Sequence, residues 1–176
     1  MCIRDRSTTE RIPDEQEVSE IYHIMRDAYA RTESAIWGEN YTRMPLQEYR
    51  QLVEKGLIHV ARIENEVVGC IYCYKVSDEV MSFSLLGTKD GNEGRGIGGA
   101  LIDHVEAYGR DQGCSFMYIE ILRPKNFELE VKSNLRRWYE KKGYVFSHHQ
   151  DFAERRPDRA PFLITPSHFE CFRKEL

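Results

Sequence analysis

A glycine-rich stretch, Glu93-Gly-Arg-Gly-Ile-Gly-Gly-Ala100, is the part of this 176-residue sequence whose composition most directly indicates chemistry. Successive backbone N–H groups without side chains between them can face one anion, and a helix N-terminus adds a favourable dipole. We therefore expect a strand-to-helix loop that binds a phosphate or pyrophosphate. The alternative is a glycine turn that only caps a helix, although packing alone rarely explains four glycines within six residues.

A dinucleotide is one phosphate ligand that agrees with this spacing. Gly94, Gly96 and Gly99 satisfy the dinucleotide fingerprint G-x-G-x-x-G, and Glu120 lies about 20 residues further on, where an acidic group would meet a ribose. Three features argue against an NAD(P)-binding oxidoreductase. Residues 88–93 separate the loop from its strand, two helices and hairpin strands precede it, and only one strand–helix unit follows.

A second block, Leu135-Arg-Arg-Trp-Tyr139-Glu-Lys-Lys-Gly-Tyr144, completes a pattern that resembles the GNAT superfamily of N-acetyltransferases. The glycine-rich stretch resembles its coenzyme A signature, Arg/Gln-x-x-Gly-x-Gly/Ala, with Glu93 in place of Arg or Gln. The later block resembles its second signature, with Lys132 where Asn is frequent. The resemblance extends from Arg11 to Leu176. It implies transfer of an acyl group, usually acetyl, from acyl-CoA to a primary amine of a small molecule or peptide, by direct attack in a ternary complex.

The resemblance also implies how acetyl-CoA would bind as co-substrate. The acyl carbonyl would meet a backbone amide on the predicted strand 81–87, with the pantetheine alongside it, near Leu86 and Thr88. No metal and no cysteine nucleophile would be required. The pyrophosphate would lie against the main chain of Gly94, Arg95, Gly96, Ile97, Gly98 and Gly99.

Tyr139 matches the tyrosine of this superfamily that protonates the departing thiolate. A phenol with a pKa of ~10 is protonated at neutral pH, so it can serve as a general acid. The alternative is that Tyr139 is a core residue, since Leu135 and Trp138 beside it are predicted to be buried.

The general base is less clearly indicated by the sequence. The strand 81–87 contains no glutamate, whereas Glu120 shares a strand face with aromatic and aliphatic side chains, where a carboxylate needs a partner or a function. A structural hydrogen bond is the alternative explanation for Glu120. Glu33, His148, His149 and a water relay stay open as bases.

The amine pocket in this superfamily usually involves the first two helices and the last strands. Glu33 is a candidate to pair an ammonium, and Trp37 and Tyr41 are candidates to pack against the rest of the acceptor, with Thr32 nearby. We expect these side chains to be exposed. An ordinary interface, or an anchor for the connecting loop, explains the same residues equally well.

The elements that must position these residues follow from periodicity and turn signals. Helices are predicted from the Asp14 region to about Arg31, from Pro45 to Gly56, from the glycine loop to about Gly113, and around 131–143. Residues 32–43 are predicted to be an irregular connection. Strands are predicted at 57–63, 67–76, 81–87, 116–122, 144–148 and 168–173. The order (β)ααβββαβαββ indicates an α/β fold, and the resemblance implies a mixed, mostly antiparallel central sheet flanked by helices.

Composition limits the remaining possibilities. A formal net charge of −4 disfavours nucleic acid as a partner, and no apolar run approaches the ~20 residues of a membrane helix. The five cysteines do not form the pattern of a disulfide framework, so we expect a cytoplasmic protein. We also expect a monomer or a homodimer. Cys70 and Cys73 share a predicted strand and should be buried on opposite faces. A non-catalytic CoA-binding module on the same fold is the other functional alternative.

The first six residues, Met1-Cys-Ile-Arg-Asp-Arg6, resemble the translation of a sequencing-library adapter. We therefore interpret residues 1–6 as an assembly scar and residues 7–176 as a single GNAT-like acetyltransferase domain.

Overall fold

The computed structural model of the chain describes residues 2–4, 14–39, 41–92 and 94–176, with side chains from residue 14 onward. Its strands are β1 (Cys2–Arg4), β2 (Ile58–Ile63), β3 (Glu66–Lys75), β4 (Val80–Thr88), β5 (Phe116–Pro124), β6 (Val145–Asp151) and β7 (Ser167–Glu175). Its α-helices are α1 (Glu15–Trp37), α2 (Leu46–Glu54), α3 (Ile97–Asp111), α4 (Glu130–Lys141) and α5 (Phe152–Arg155), and a 3-10 turn spans Ala160–Phe162.

The seven described strands form one sheet in the order β1-β2-β3-β4-β5-β7-β6. All neighbours are antiparallel except β4 and β5, which run parallel. The predicted α/β fold with a mostly antiparallel sheet is therefore confirmed. Residues 2–4 of the predicted adapter scar pair with β2 as β1, while residue 1 and the predicted boundary at residue 7 lie outside the described residues.

Helix α1 is longer than the sequence predicted. Asp14 caps its first turn, where the side chain accepts a hydrogen bond from the Glu17 amide at 2.9 Å. The predicted end near Arg31 and the irregular connection after it are wrong for residues 32–37. Glu33 and Ile36 continue the inward-facing positions at helical spacing, and the helix ends only at Gly38, whose φ of 83° suits glycine.

The core lies on both faces of the sheet. Helices α1 and α2 cover one face, and α3 and α4 cover the other. Cys70 lies in the cluster under α1 and Cys73 in the cluster under α3, so both are buried on opposite faces as predicted. The approach of α1 is close at Gly87, where an added Cβ would stand 3.1 Å from the Ile24 carbonyl oxygen. No helix in the described ranges is both long and apolar enough to span a membrane.

The parallel pair β4–β5 is short. The two strands pair over only three residues of each, 80–82 with 116–118, and then separate. Strand β4 also carries a bulge against β3 between Ser84 and Gly87, where Leu85 adopts a φ of 51°. The two strands are therefore unpaired with each other over the remaining six residues of each, and the main cavity within the described residues opens between them.

Candidate active site

The split between β4 and β5 opens into a cavity of about 720 Å³. Strand β4 and the glycine loop form one wall, strand β5 and helix α4 form the other, and α1 closes one end. The predicted site residues that line this cavity are Glu33, Leu86, Thr88, Gly94, Gly96, Ile97, Gly98, Gly99, Glu120 and Tyr139. Arg95 does not line it.

The glycine loop presents main chain to the cavity. Gly94 and Gly96 have φ values of 74° and 75°, and an added Cβ at either would meet nothing within 4 Å. The space in front of both peptides is open to a ligand. Gly96 is the residue that caps α3, so the N-terminus of that helix faces the same space. Arg95 instead donates to the Asn92 side chain at 2.6 Å, and Glu93 lies outside the described residues.

The edge of β4 that β5 leaves unpaired faces the middle of the cavity. Residues 83–88 lie beyond the last pairing with β5, and the bulge at Leu85 turns its amide toward Tyr29 on α1. Burial raises the pKa of Tyr29 to about 12, although the Arg43 guanidinium and the Leu85 amide act in the opposite direction. Strand β5 therefore does not bond the main-chain groups of residues 83–88 on this edge, although Tyr29 engages the Leu85 amide.

Tyr139 is buried but faces the cavity. Its residue is 6% exposed, and its ring packs against those of Phe83 and Tyr144. Among the described residues, no group forms a hydrogen bond with its hydroxyl. Burial raises the pKa of Tyr139 well above the usual value, and Tyr29 adds to this rise. The residue is therefore both a core side chain and a protonated hydroxyl without a protein partner at the cavity wall.

Glu120 lies on β5 and lines the cavity, and one of its carboxylate oxygens accepts hydrogen bonds from neighbouring side chains. The Tyr118 hydroxyl donates to Glu120 Oε1 at 3.0 Å, and the Nε of Arg155 donates to the same oxygen at 3.3 Å. Burial raises the pKa of Tyr118, and Cys171 and Glu120 add to this rise. Both explanations given for Glu120 from the sequence therefore fit the geometry, since it has hydrogen-bond partners and still lines the cavity.

Glu33 is buried, so its predicted exposure is wrong. The residue is 2% exposed, and its carboxylate accepts hydrogen bonds from Trp37 Nε1 at 2.8 Å, Arg43 at 2.6 Å and Lys132 at 2.5 Å. Burial acts to raise the pKa of Glu33, but Arg43, Lys132 and Trp37 outweigh it and hold the pKa at about 2. The carboxylate expected to bind a ligand ammonium is already paired within the protein.

Trp37 and Tyr41 also differ from expectation. Their rings stack on each other with centroids 4.4 Å apart, and Trp37 is buried against Phe152. Neither residue lines the main cavity, whereas Thr32 does. The contacts favour the loop-anchor explanation for this pair, because aromatic packing fixes the end of α1 against α5. His148 and His149, kept open as bases, lie on β6 away from the cavity.

One group with the spacing of metal ligands occurs within the described ranges, away from the cavity. His149, His168 and Glu170 bring ligand atoms within 4.8 Å of one another on β6 and β7. However, Glu170 accepts hydrogen bonds from Arg123 at 3.2 Å and Arg136 at 3.0 Å. Two guanidiniums on its only carboxylate make this group a poor site for a divalent cation.

Comparison with known proteins agrees with this architecture. Residues 18–144 match the Acetyltransferase (GNAT) family. This chain belongs to that family.

Solved structures of GNAT enzymes share the fold at low sequence identity. An aminoglycoside 6'-N-acetyltransferase in complex with coenzyme A superposes with a TM-score of 0.71 at 14% identity, covering 99% of this chain and 97% of that one. A GNAT acetyltransferase from Elizabethkingia anophelis with acetyl-CoA bound gives 0.64 at 15% identity, with 99% and 97% covered. Ribosomal-protein-alanine N-acetyltransferase from Brucella melitensis gives 0.66 at 15% identity over 100% of both chains. No curated protein sequence matches significantly.

Three cationic residues, Arg31, Arg43 and Lys132, line this cavity, and none was identified as a site residue from the sequence. Arg43 was placed in an irregular connection, and Lys132 was noted only as a departure from the second signature. The place of Lys132 in the second signature was the one available signal, because a residue there lies on the cavity face of α4, two turns before Tyr139. Arg43 gave no signal, since its position depends on the unexpected length of α1.

Proposed function

We propose that this chain transfers an acetyl group from acetyl-CoA to a primary amine by direct attack within a ternary complex. The observation that carries the proposal is the continuity of the cavity. It runs from the exposed main chain of the glycine loop, along the unpaired edge of β4, to the unpartnered hydroxyl of Tyr139. A pyrophosphate, an extended pantetheine and a thioester would meet these three features in that order.

The loop fits the diphosphate of coenzyme A. Two open peptide groups at a helix N-terminus offer N–H donors and a favourable dipole, which are the requirements for binding a phosphate. The unpaired edge of β4 offers further main-chain donors to the amide groups of a pantetheine and to the carbonyl oxygen of the thioester. The side chains predicted for this contact, Leu86 and Thr88, line the same wall.

Tyr139 is proposed as the general acid. The amine nitrogen attacks the thioester carbonyl, the C–S bond breaks as the tetrahedral intermediate collapses, and the thiolate takes the phenolic proton. Its raised pKa keeps the phenol protonated until the thiolate forms. The hydroxyl is free to donate, because no described protein group competes for its hydrogen.

The proton that the amine loses goes to a base, for which we propose Glu120, directly or through water. Among the described residues, two carboxylates line the cavity, and Glu33 is already held by two cations and an indole. Glu120 has a single oxygen engaged by Tyr118 and Arg155, which leaves its other oxygen available to the acceptor. Transfer of this proton to Glu120 balances the one that Tyr139 gives to the thiolate.

Ligand-dependent thermal unfolding combined with a turnover assay tests the proposal. A ligand at 100 times its dissociation constant stabilises the folded state by ~2.7 kcal/mol, so acetyl-CoA and CoA should raise the unfolding temperature while NAD(P) should not. Release of free CoA thiol in the presence of a primary amine panel should then exceed release in its absence. Stabilisation by NAD(P) alone would reject the proposal, and CoA binding without any amine-dependent thiol release would favour a binding module.

A further inference from the structure

Three residues remote in sequence form a charged cluster at the end of the cavity opposite the glycine loop. Glu33 from α1 lies between Arg43, from the following loop, and Lys132, from the first turn of α4. Each cation contacts a different oxygen of the one carboxylate. All three side chains line the cavity. We call these three residues the Arg43–Glu33–Lys132 cluster.

With Lys132 protonated, the cluster carries a net charge of +1, because two cations share one carboxylate. Burial lowers the pKa of Lys132, and the Arg43 and Arg123 guanidiniums act in the same direction. Glu33 is the carboxylate that opposes this. The cluster is therefore one negative charge short of neutrality. A buried charge is costly unless it is paired with an opposite charge, so a further anion would stabilise the cluster.

The cluster also has unused hydrogen-bond donors. Arg43 has five N–H donors and Lys132 has three. In the described part of the chain, Arg43 uses one guanidinium nitrogen on Glu33, and the Lys132 ammonium has Glu33 as its single acceptor. Lys132 is only 4% exposed, so its remaining donors have little access to solvent other than through the cavity. An anionic group in the cavity would satisfy both the donors and the missing charge.

The position of the cluster assigns this anion to the amine acceptor rather than to coenzyme A. Lys132 and Tyr139 lie seven residues apart on the cavity face of α4, which separates them by about 10 Å along the helix axis. The Arg43 guanidinium lies 4.4 Å from the ring centre of Tyr29, a neighbour of the reacting region. The phosphates of the donor would be bound at the other end, at the glycine loop.

We propose that the acceptor is an amine that also carries a carboxylate, as in an amino acid, and that Arg43 and Lys132 bind this carboxylate. The planar fork of a guanidinium matches a carboxylate in geometry, and hydrogen bonds between charged groups are about twice as strong as neutral ones. The inference rests on the proposed acetyl transfer and specifies its substrate class. It disfavours acceptors whose other groups are cationic, because the cluster would repel them.

Matched acceptor pairs test the inference without any mutation. Thiol release from acetyl-CoA is measured with alanine and alaninamide, with phenylalanine and phenylalaninamide, and with β-alanine and β-alaninamide, alongside agmatine and spermidine. At least one acid should exceed its carboxamide by tenfold or more in kcat/KM. Equal or higher kcat/KM for every carboxamide, or a preference for agmatine or spermidine, overturns the inference while the proposed acetyl transfer stands.

Variants locate the effect at the cluster. Arg43→Gln leaves the Glu33–Lys132 pair intact and removes the excess charge, so kcat/KM for the acid should fall by about 10- to 100-fold. The carboxamide should change by less than about threefold. Arg110→Gln removes the same charge from an exposed position on α3 outside the cavity and serves as the control. An Arg43→Gln variant that keeps the preference, or that loses acetyl-CoA affinity instead, contradicts the inference.

If no amine in the panel is turned over, the binding of product analogues tests whether Arg43 and Lys132 bind a carboxylate. N-acetylalanine and N-acetylalaninamide are titrated into the CoA-saturated protein by calorimetry. Tighter binding of the acid, abolished by Arg43→Gln, supports the inference. Equal binding, or none, overturns it. Acetyl-CoA binding and thiol release judge the proposed acetyl transfer separately in the same preparation.

Discussion

The two ends of the cavity present different parts of the chain. At the α3 end, the surface is peptide groups of Gly94 and Gly96, which have no side chains and point at open space. At the α1 end, the surface is the Arg43–Glu33–Lys132 cluster, whose charged side chains converge from three elements. The first end suits a ligand whose phosphates are recognised by main chain. The second suits a ligand recognised by charge.

This difference teaches how each end tolerates change. A main-chain site depends on backbone conformation, so substitutions matter there mainly when they add a Cβ or alter φ. A buried charge cluster depends on balance among its members, so removing any one of them affects both folding and recognition.

Tyr139→Phe, between the two ends, should have the largest effect. Loss of the hydroxyl removes the proposed general acid and should lower kcat by a factor of ~10²–10⁴, with a smaller change in the KM for the amine. Acetyl-CoA binding should survive, as judged by ligand-induced thermal stabilisation. The loss should shrink with a thioester of a more acidic thiol.

Tyr144→Phe is the matched control for this prediction. Its ring packs beside that of Tyr139, but its hydroxyl donates to Glu106 at 2.9 Å instead of facing the cavity. It should reduce the free energy of unfolding by ~1 kcal/mol and leave kcat nearly unchanged. Parental turnover by Tyr139→Phe would make Tyr139 a packing residue only.

Glu33→Gln should have the largest effect on stability. The change leaves the buried Lys132 and the half-buried Arg43 without their counter-charge, and breaking a buried pair typically costs ~3–5 kcal/mol in the free energy of unfolding. Urea unfolding at pH 6 measures this loss. Glu66→Gln, which removes the partner of Lys89 from an exposed ion pair, is the control and should leave the free energy nearly unchanged.

The difference in free energy of unfolding between the parent and Glu33→Gln should also depend on pH. The pKa of Glu33 is about 2 in the folded state and 4.5 ordinarily, so the unfolded state binds more protons between these values. The stability from Glu33 is fully present above pH 4.5 and is lost as the pH falls toward 2. The difference between parent and Glu33→Gln should therefore narrow from pH 5 to pH 3. A constant or widening difference would show that Glu33 is not ionised in the folded protein.

Gly96→Val should weaken CoA binding with little effect on the acceptor end. The side chain would occupy the open space in front of the peptide, and loss of one or two charge-assisted hydrogen bonds should raise the Kd for CoA by about 10- to 100-fold. Gly113→Val is the control, because Gly113 has a similar φ of 79° and equally open surroundings at the other end of α3. Equal CoA affinity of both variants would place the phosphate site elsewhere.

Substitution of Cys70 or Cys73 should have the smallest effect on activity, because neither residue lies at an end of the cavity. Burial raises the pKa of Cys70 to about 11, which keeps the thiol protonated and poorly reactive. Both cysteines should react slowly with a thiol reagent in the folded protein, and Cys70→Ala should turn over at nearly the parental rate. Rapid labelling of both, or one zinc per chain, would contradict their structural role.

The sequence predicted the fold well where local signals agree with the tertiary structure. The hairpin of β2 and β3, the strand before the glycine loop and helix α3 are marked by alternation, turn residues and glycines within a short window. The end of α1 was missed because Glu33 interrupts the apolar periodicity. Its burial depends on Lys132, 99 residues away, and no local pattern reports such a partner.

The two ends of the site also differ in how far the sequence predicts them. The glycine loop presents its own backbone to the cavity, so its composition alone was enough to predict a phosphate site there. The acceptor end could not be predicted, because Arg43, Glu33 and Lys132 are ordinary surface residue types in isolation. Glu33 was identified as a site residue, but as an exposed partner for an ammonium, since its cationic neighbours were unknown.

The separation of β4 and β5 after three residue pairs leaves each strand with peptide groups that its neighbour does not bond. Such a row is a sheet edge, and an accessible edge can pair with another protein molecule and start aggregation. In this protein, α1 packs on β4 from one face of the sheet, while α3 and α4 cover the other. With helices on both faces, we expect a second folded chain to be kept from the gap and a thin, extended molecule to enter it. We therefore expect the split sheet to offer its hydrogen bonds to small ligands while shielding them from other proteins in a crowded solution.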